Sequence, residues 1–268
     1  MSRRPDAHRL LAAFAPLLAL TFASGCTLVA HQDVAHDDIV LAGAPARLVF
    51  DLGAGDMEVR VDPTRKDVSI VRTLRFTGKQ PVPSARLSGT VLTLEDGCRK
   101  LQSCRVDHEV VLPASGAVIG STGSGMLVLA GLDHRVDVDT GSGDILITDI
   151  GGEVTATTGS GSIDVQGATG GIDLDTGSGD VVATGLGGDN VIASTGSGIV
   201  RLVLTGEPRR VTIDTGSGDV DVNLPPGRYD VSTHTGSGGV SVTGVDQSPD
   251  GSRVDIETGS GDIAVRGQ

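Results

Sequence analysis

Large aromatic side chains are scarce in this chain of 268 residues, which has no Trp, one Tyr and four Phe. Base stacking needs aromatic platforms, and sugar-binding sites commonly use them, so the composition argues against both kinds of site. Basic residues are also in the minority, because no Lys follows Lys100 and the formal net charge is −13. Since such a field repels nucleic acid and anionic lipid headgroups, neither is an expected partner through a general basic surface.

The apolar run near the N-terminus, residues 10–23, is shorter than the ~20 residues that a membrane-spanning helix needs. Three arginines precede this run and Ala23-Ser24-Gly25-Cys26 ends it, a pattern typical of a secretory signal peptide over residues 1–25. The small residues before the cysteine resemble the lipobox of bacterial lipoproteins, although Ala23 stands where that motif prefers Leu. This resemblance implies cleavage before Cys26 and a diacylglycerol on its thiol. An ordinary signal peptide with a chance cysteine is the alternative.

Export would make the mature chain still more acidic. Removal of residues 1–25 takes away three arginines and one aspartate, which leaves 18 basic and 33 acidic residues and a formal net charge of −15. The expected location is the cell envelope, with the lipid anchor as the contact to the membrane. Thr27, rather than Asp, follows the cysteine, which in a Gram-negative host resembles sorting to the outer membrane, facing the periplasm or the surface.

The tetrapeptide Thr-Gly-Ser-Gly occurs eight times, at intervals of 18 to 23 residues. Its copies begin at Thr122, Thr140, Thr158, Thr176, Thr195, Thr215, Thr235 and Thr258. A near-constant period of this size indicates one small unit stacked many times. Gly permits a tight reversal of the chain, and Ser and Thr hydroxyls satisfy backbone groups left free in the turn. A nucleophile elbow or a phosphate loop is not predicted, because no helix pattern follows any copy.

Each tetrapeptide is flanked by two short strands in which apolar and polar residues alternate. In the fourth copy, Ile172 and Leu174 precede Thr176, and Val181 and Ala183 follow it. This alternation places the aliphatic residues and the Thr on an inward face, with Asp, Ser and Arg outward. One unit cannot bury its apolar face alone, so successive coils are expected to stack in parallel, in sequence order, around a thin aliphatic core. The last coil, ending at Gln268, would then be uncapped.

The N-terminal part reads as an atypical end unit. Residues 48–59 resemble a degenerate copy of residues 136–147, and apolar strands are expected near 67–76, 85–95 and 105–112. The predicted division is a lipoprotein signal peptide (1–25), a tether (26–44), a degenerate first coil with a β cap (45–115) and the Thr-Gly-Ser-Gly solenoid (116–268). A transition-metal site is an alternative for part of the tether, through His31, His36, Asp37 and Asp38.

These motifs resemble a bacterial family of domains of unknown function whose members are named putative adhesins. The resemblance rests on the repeated Thr-Gly-Ser-Gly-Asp before alternating aliphatics, on the degenerate opening copy, and on Val110-Val-Leu-Pro113 before the first full repeat. It covers about residues 45–268. Together with the eight repeats it implies an all-β fold, a single-stranded right-handed parallel β-solenoid (β-helix) of about eight short coils with an N-terminal β cap. It also implies secreted or envelope-anchored proteins without established catalytic residues.

The three cysteines fit an exported protein. Cys98 and Cys104 enclose five residues between two predicted strands, and in an oxidising compartment such a pair usually closes a disulfide. No second Cys or His pair stands at zinc-ligand spacing, so neither a metal nor another cofactor is predicted. Cys26 is then left over as the lipid acceptor.

The outward position after each tetrapeptide alternates between neutral and acidic residues: Met126, Asp144, Ser162, Asp180, Ile199, Asp219, Gly239 and Asp262. In sequence-order stacking, this alternation separates like charges by about 10 Å instead of about 5 Å. A calcium-binding β-roll is an alternative, but its Asp belongs one residue further on. A polysaccharide-active β-helix is another, using Asp137, Asp139, Asp173 and Asp175. Repetition of these carboxylates favours solvation over acid–base catalysis, so no enzyme is predicted.

The remaining functional candidate is the edge opposite the tetrapeptides, where the extra residues between repeats collect. Four arginines in its C-terminal half are a candidate binding edge: Arg209, Arg210, Arg228 and Arg253. Insertions on one face of a repeat protein often mark its binding face, and Arg suits carboxylate or phosphate partners. The alternative is that these arginines balance nearby acids and protect the last coil. The predicted function is a non-catalytic envelope lipoprotein that presents an interaction or adhesion-like surface to a protein or surface ligand. A stress-related accessory or sensor-associated periplasmic protein is the alternative.

Overall fold

The computed structural model describes residues 32–99, 101 and 103–268, and from Gln32 onward these belong to one compact unit. Every regular element in this part of the chain is a strand, so it contains no helix that could span a membrane. The N-terminal strands are β1 (Asp33–Ala42), β2 (Arg47–Ala54), β3 (Met57–Val61), β4 (Asp67–Phe76), β5 (Ser84–Ser88), β6 (Val91–Glu95) and β7 (Cys104–Leu112).

The repeats supply all the later strands. Those of the body are β8 (Ala117–Ser124), β9 (Leu127–Leu132), β10 (Val136–Ser142), β11 (Ile145–Ile150), β12 (Val154–Thr158), β13 (Ile163–Ala168), β14 (Ile172–Thr176), β15 (Val181–Leu186), β16 (Asn190–Ser197) and β17 (Val200–Leu204). The C-terminal strands are β18 (Arg210–Ser217), β19 (Val220–Leu224), β20 (Arg228–Thr235), β21 (Val240–Thr243), β22 (Asp246–Gln247), β23 (Ser252–Thr258) and β24 (Ile263–Gly267).

Two sheets of twelve strands form the walls of the fold. The first sheet has the order β1-β4-β7-β3-β9-β11-β13-β15-β17-β19-β24-β21, and the second has the order β22-β20-β23-β18-β16-β14-β12-β10-β8-β2-β6-β5. Each Thr-Gly-Ser-Gly turn carries the chain from the second sheet to the first, as between β10 and β11, and another turn returns it. From β8 to β19, successive coils pair in parallel, with Val136 beside Val154 and Ile145 beside Ile163. The predicted all-β solenoid with parallel-rich sheets is confirmed.

The core lies between the sheets and follows the predicted alternation. Its buried side chains form one continuous cluster from Leu48 to Val265. The Thr that opens the tetrapeptide also faces inward, and seven of the eight are buried: Thr122, Thr140, Thr158, Thr176, Thr195, Thr215 and Thr258. Thr235 is only partly buried, because its coil lies at the end of the stack. The inward side of each strand was therefore readable from the sequence.

The buried threonines join neighbouring coils through the last Gly of the tetrapeptide. Thr176 Oγ1 donates a hydrogen bond to the carbonyl oxygen of Gly161 over 2.8 Å, and Thr158 Oγ1 donates to that of Gly143 over 3.0 Å. The hydroxyls of Thr140 and Thr215 are buried without a hydrogen-bond partner among the described residues. The tetrapeptide column thus contains two chemically unequal classes of Thr.

The acidic residues after the tetrapeptide also bind the next coil. Asp144 Oδ1 accepts the backbone N–H of Ser162 over 2.9 Å, and Asp180 Oδ1 accepts that of Ile199 over 2.8 Å. Asp219 Oδ1 accepts the N–H of Asp262 over 2.9 Å in the same way. A carboxylate oxygen of each Asp in these pairs is therefore already engaged by the scaffold.

The order of coils at the C-terminal end differs from the sequence-order prediction. Strands β23 and β24 lie between β18–β19 on one side and β20–β21 on the other, so the last coil of the chain is internal. The expectation of an uncapped last coil is wrong, since β20–β21 forms the end of the stack. The charge alternation also fails here, because Asp214 lies beside Glu257 and Asp219 beside Asp262.

The N-terminal end is capped by strands that depart from parallel stacking. β1 pairs antiparallel with β4 over its whole length, and β4 pairs antiparallel with β7. The predicted tether is thus wrong over Asp33–Ala42, which forms an edge strand because Ile39 and Leu41 pack against the core. The predicted strand near 85–95 is the hairpin β5–β6, which turns at Gly89. β2 lies between β6 and β8 in the register expected for a degenerate copy, with Leu48 beside Val118.

Cys98 and Cys104 form a disulfide at this end, with a Cα–Cα distance of 5.6 Å. The bond joins the start of β7 to the loop after β6 and packs with Leu74, Phe76 and Val106 in a small separate core. The predicted disulfide is confirmed. Cys26 and the signal peptide lie outside the described residues.

Candidate functional site

The candidate arginine edge lies where the chain passes from the first sheet back to the second. Three irregular segments occur there in the C-terminal half: residues 205–209 before β18, 225–227 before β20, and 244–251 around β22. Because every tetrapeptide turn lies on the opposite edge, these segments are the places where the repeat varies most. All four predicted arginines are exposed at this edge.

Two of the four arginines form a pair. Arg210 and Arg253 are cross-strand neighbours on β18 and β23. Both bind the carboxylate of Asp255, Arg210 Nη2 over 3.3 Å and Arg253 Nε over 2.7 Å. The hydrogen bond to Asp255 raises the pKa of Arg253. Asp230 on β20 is the other cross-strand neighbour of Arg253 and also raises its pKa, so two acidic residues offset the two arginines.

The other two arginines have different surroundings. Arg228 Nη2 donates a hydrogen bond to Ser248 Oγ over 2.6 Å, which fastens the loop that follows β22 to the start of β20. The Arg209 side chain makes no hydrogen bond or ion pair with another described residue, whereas its backbone N–H donates to Asp189 O over 2.7 Å. Among the predicted four, Arg209 has the side chain most available to a ligand.

Two grooves flank this end of the solenoid. One of about 310 Å³ runs over the outer face of the second sheet, with Asp214, His234 and Glu257 on neighbouring strands. The other, of about 430 Å³, lies on the outer face of the first sheet between Arg201 and Arg266. The sequence analysis did not single out the second groove, because its residues become neighbours only when β24 is placed beside β19.

In the described part of the chain, the residues named for the metal and enzyme alternatives do not form a single cluster. No group of three or more His, Cys, Asp or Glu side chains there is arranged to hold a metal ion. Asp37 pairs with Arg72, and His36 lies 3.3 Å from Thr73 Oγ1, while His31 is outside the described residues. Of the proposed carboxylates, Asp137 and Asp139 lie on β10, and Asp173 and Asp175 lie on β14, with the threonines of β12 between the two strands.

Two buried titratable side chains in the N-terminal cap, Arg72 and His108, were not anticipated from the sequence. Arg72 and His108 are cross-strand neighbours facing the core, and Arg72 pairs with Asp37 on the edge strand β1. Arg72 Nε and Nη1 and His108 Nε2 have no hydrogen-bond partner among the described residues. Burial lowers the pKa of His108 to about 4, and the charge of Arg72 acts in the same direction. Arg72 could have been recognised as inward-facing, because it alternates along β4 with the buried residues at positions 68, 70 and 74.

Comparison with known protein families assigns the repeat region. A family model named Toastrack DUF4097 matches residues 121–266, more than half of the chain. The chain belongs to the Toastrack DUF4097 family. The match runs from β8 to β24, so the Toastrack region contains every strand pair that a tetrapeptide joins and the whole arginine edge. The predicted family resemblance is confirmed.

Solved structures similar to this Toastrack protein have low sequence identity to it. A putative adhesin from Bacteroides fragilis is 12% identical, with 87% of this chain and 97% of that chain covered and a TM-score of 0.49. A putative adhesin from Parabacteroides merdae is 13% identical, with 85% and 95% covered and a TM-score of 0.43. A putative cell adhesion protein from Clostridium sporogenes is 12% identical, with 88% and 100% covered and a TM-score of 0.36. Comparison with curated proteins gives no match.

Proposed function

We propose that this chain is a non-catalytic envelope lipoprotein whose rigid β-solenoid presents an interaction or adhesion-like surface. One observation supports this most strongly: the repeated polar groups bind neighbouring coils, whereas the irregular edge keeps exposed arginines. Thr176 and Asp180 are both engaged by adjacent coils. Arg209 makes no such side-chain contact with a described residue. A scaffold that uses its repeated groups internally has its variable edge left for a partner.

The proposed partner is a protein or surface ligand that carries carboxylates or phosphates. Arg recognises both groups through paired N–H donors. Arg209 is the first candidate contact, and Arg210 and Arg253, which share Asp255, are exposed at the same edge. The net negative charge of the chain argues against nucleic acid. Right-handed winding and about eight coils complete the proposed architecture.

An envelope pull-down with matched arginine variants tests this edge. Arg209→Gln/Arg210→Gln should lose at least one crosslinked partner that the wild-type chain captures, with an unchanged melting temperature. Arg47→Gln/Arg135→Gln is the matched control, because these arginines are also exposed at the starts of second-sheet strands but precede the three irregular segments. Equal capture by all three proteins would contradict the binding edge.

We propose that the protein is exported, cleaved before Cys26 and anchored by its lipid in the outer membrane, where it faces the periplasm or the surface. Cys26→Ser should move the protein from the membrane to the soluble envelope fraction or leave it unprocessed. Cys98 and Cys104 are unchanged in this variant, so its disulfide is retained. Unchanged processing and membrane association would refute the anchor. Cleavage of an acidic polysaccharide by purified protein, abolished by Asp175→Asn, would refute the non-catalytic assignment.

A further inference from the structure

The C-terminal coil of this chain is inserted between two coils that precede it in sequence. We call β18–β19 the inner coil, β23–β24 the inserted coil and β20–β21 the outer coil. The inserted coil pairs with the inner coil through Val211 beside Val254 and with the outer coil through Val231 beside Val254. The chain therefore skips one position in the stack, forms the end of the solenoid, and then returns to fill the gap.

A proline and the C-terminal Gln268 distinguish the connection at the start of the skip from the earlier ones. In earlier coils, the residue after the first-sheet strand donates its N–H to the equivalent carbonyl of the preceding coil, as Thr205 does to Leu186 over 2.8 Å. Pro225 occupies this position after β19 and has no N–H to donate. The Leu204 carbonyl instead accepts the side-chain amide of Gln268 over 3.3 Å, and Gln268 N donates to Leu224 O over 3.0 Å.

The Pro225-Pro226-Gly227 segment also advances twice as far along the stack of coils as an earlier connection does. It connects β19 to β20 across two strand spacings, about 9.6 Å, whereas the three residues between β15 and β16 cross one spacing of about 4.8 Å. The buried Tyr229 hydroxyl donates to Pro225 O over 2.8 Å and holds the end of this segment. The connection thereby keeps a slot one coil wide between the inner and outer coils.

The inserted coil is better suited to the slot than the outer coil. Its inward residues Val254, Ile256, Ile263 and Val265 are at most 1% exposed. In the outer coil, Thr233 replaces an aliphatic residue at the central inward position, and Val240 is 47% exposed. Burying the more apolar coil between two others removes more apolar surface from water than leaving it at the end.

The strand pairing that holds the inserted coil is that of the repeat, and segment 244–251 is its covalent link to the outer coil. This segment is itself held to β20 by β22 and by the hydrogen bond from Arg228 to Ser248. We propose that the slot also accepts the inserted coil of a second copy of this chain, giving a coil-exchanged dimer. Both copies then keep the pairing seen in the monomer, with Ser252–Gly267 supplied in trans. Exchange through a hinge loop is an established low-cost route to dimers.

Cysteine pairs divided between two full-length copies test this exchange. One copy carries His234→Cys and the other Glu257→Cys, both in a Cys26→Ser background; these positions are outward neighbours on β20 and β23. The copies are mixed, taken to the urea midpoint, returned to buffer and oxidised. Neighbouring cysteines meet at millimolar effective concentration, so at about 10 μM protein we expect about a hundredfold more interchain disulfide than from collisions. A band of twice the chain mass reports exchange.

The matched control replaces Glu257→Cys with Asp175→Cys, an exposed position on the same sheet that is not adjacent to β20. Interchain disulfide no higher than this control would overturn the proposal. Pro225→Gly/Pro226→Gly provides a second test, because glycine removes the fixed φ of both prolines and lets the segment place the outer coil directly on the inner coil. Exchange should then fall to the control level, and Asp214→Cys/His234→Cys in one chain should form an intrachain disulfide. Undiminished exchange in that variant would refute the role of the proline segment.

Discussion

The two classes of buried Thr make opposite predictions for one substitution. Thr→Val keeps the β-branched shape and exchanges a hydroxyl for a methyl group. At position 176 the change removes a 2.8 Å hydrogen bond to Gly161, which should lower the free energy of unfolding by about 1 kcal/mol. At position 140 it removes a buried hydroxyl without a partner among the described residues, which should raise that free energy by about 1 kcal/mol.

The expected difference between the Thr176→Val and Thr140→Val proteins is therefore about 2 kcal/mol, or about 4 to 8 °C in melting temperature for a chain of this size. Thermal unfolding followed by circular dichroism measures it directly. Thr158→Val and Thr215→Val repeat the comparison, since Thr158 donates to Gly143 over 3.0 Å and the Thr215 hydroxyl has no partner in the described part of the chain. Equal shifts in both classes, or destabilisation by Thr140→Val as large as by Thr176→Val, would refute the hydrogen-bond argument.

The remaining predictions concern acid stability and backbone packing. The pKa of His108 is lowered from 6.5 to about 4, so the unfolded chain takes up this proton before the folded chain does. The free energy of unfolding should therefore be unaffected by this group above pH 6.5 and fall by about 3 kcal/mol as the pH falls to 4. His108→Gln should remove most of that loss between urea midpoints at pH 7 and pH 4.5, and an unchanged loss would exclude His108 as its source. A Cβ at Gly143 would lie 1.9 Å from the carbonyl oxygen of Gly125, so Gly143→Ala should lower the free energy of unfolding by several kcal/mol. Gly187→Ala, whose Cβ would have no contact closer than 3.8 Å, should change the urea midpoint little, and similar losses for the two would contradict this packing.

The direction of each side chain could be predicted because a strand has only two faces. Alternation of aliphatic and polar residues identified Ile172 and Leu174 as inward, and both are buried. The tetrapeptide turns and the Cys98–Cys104 disulfide were likewise predictable, since both depend on residues close together in sequence. The β1 edge strand was missed because residues 33–42 mix three aspartates with its aliphatic positions and resemble a polar leash.

The amino-acid sequence alone specified the strands, their inward faces and the tetrapeptide turns, because these depend on local spacing of residue types. It did not determine which coil lies beside which, because the repeats offer one another the same register: Thr258 fits beside Thr215 as well as beside Thr235. That order depends on long-range packing, because a coil placed between two others buries Ile256 on both sides and lets Gln268 bond to Leu224 and Leu204. The same placement brought Arg253 beside Arg210 and divided Asp255 between them, so the charge of the candidate edge also depends on long-range pairing.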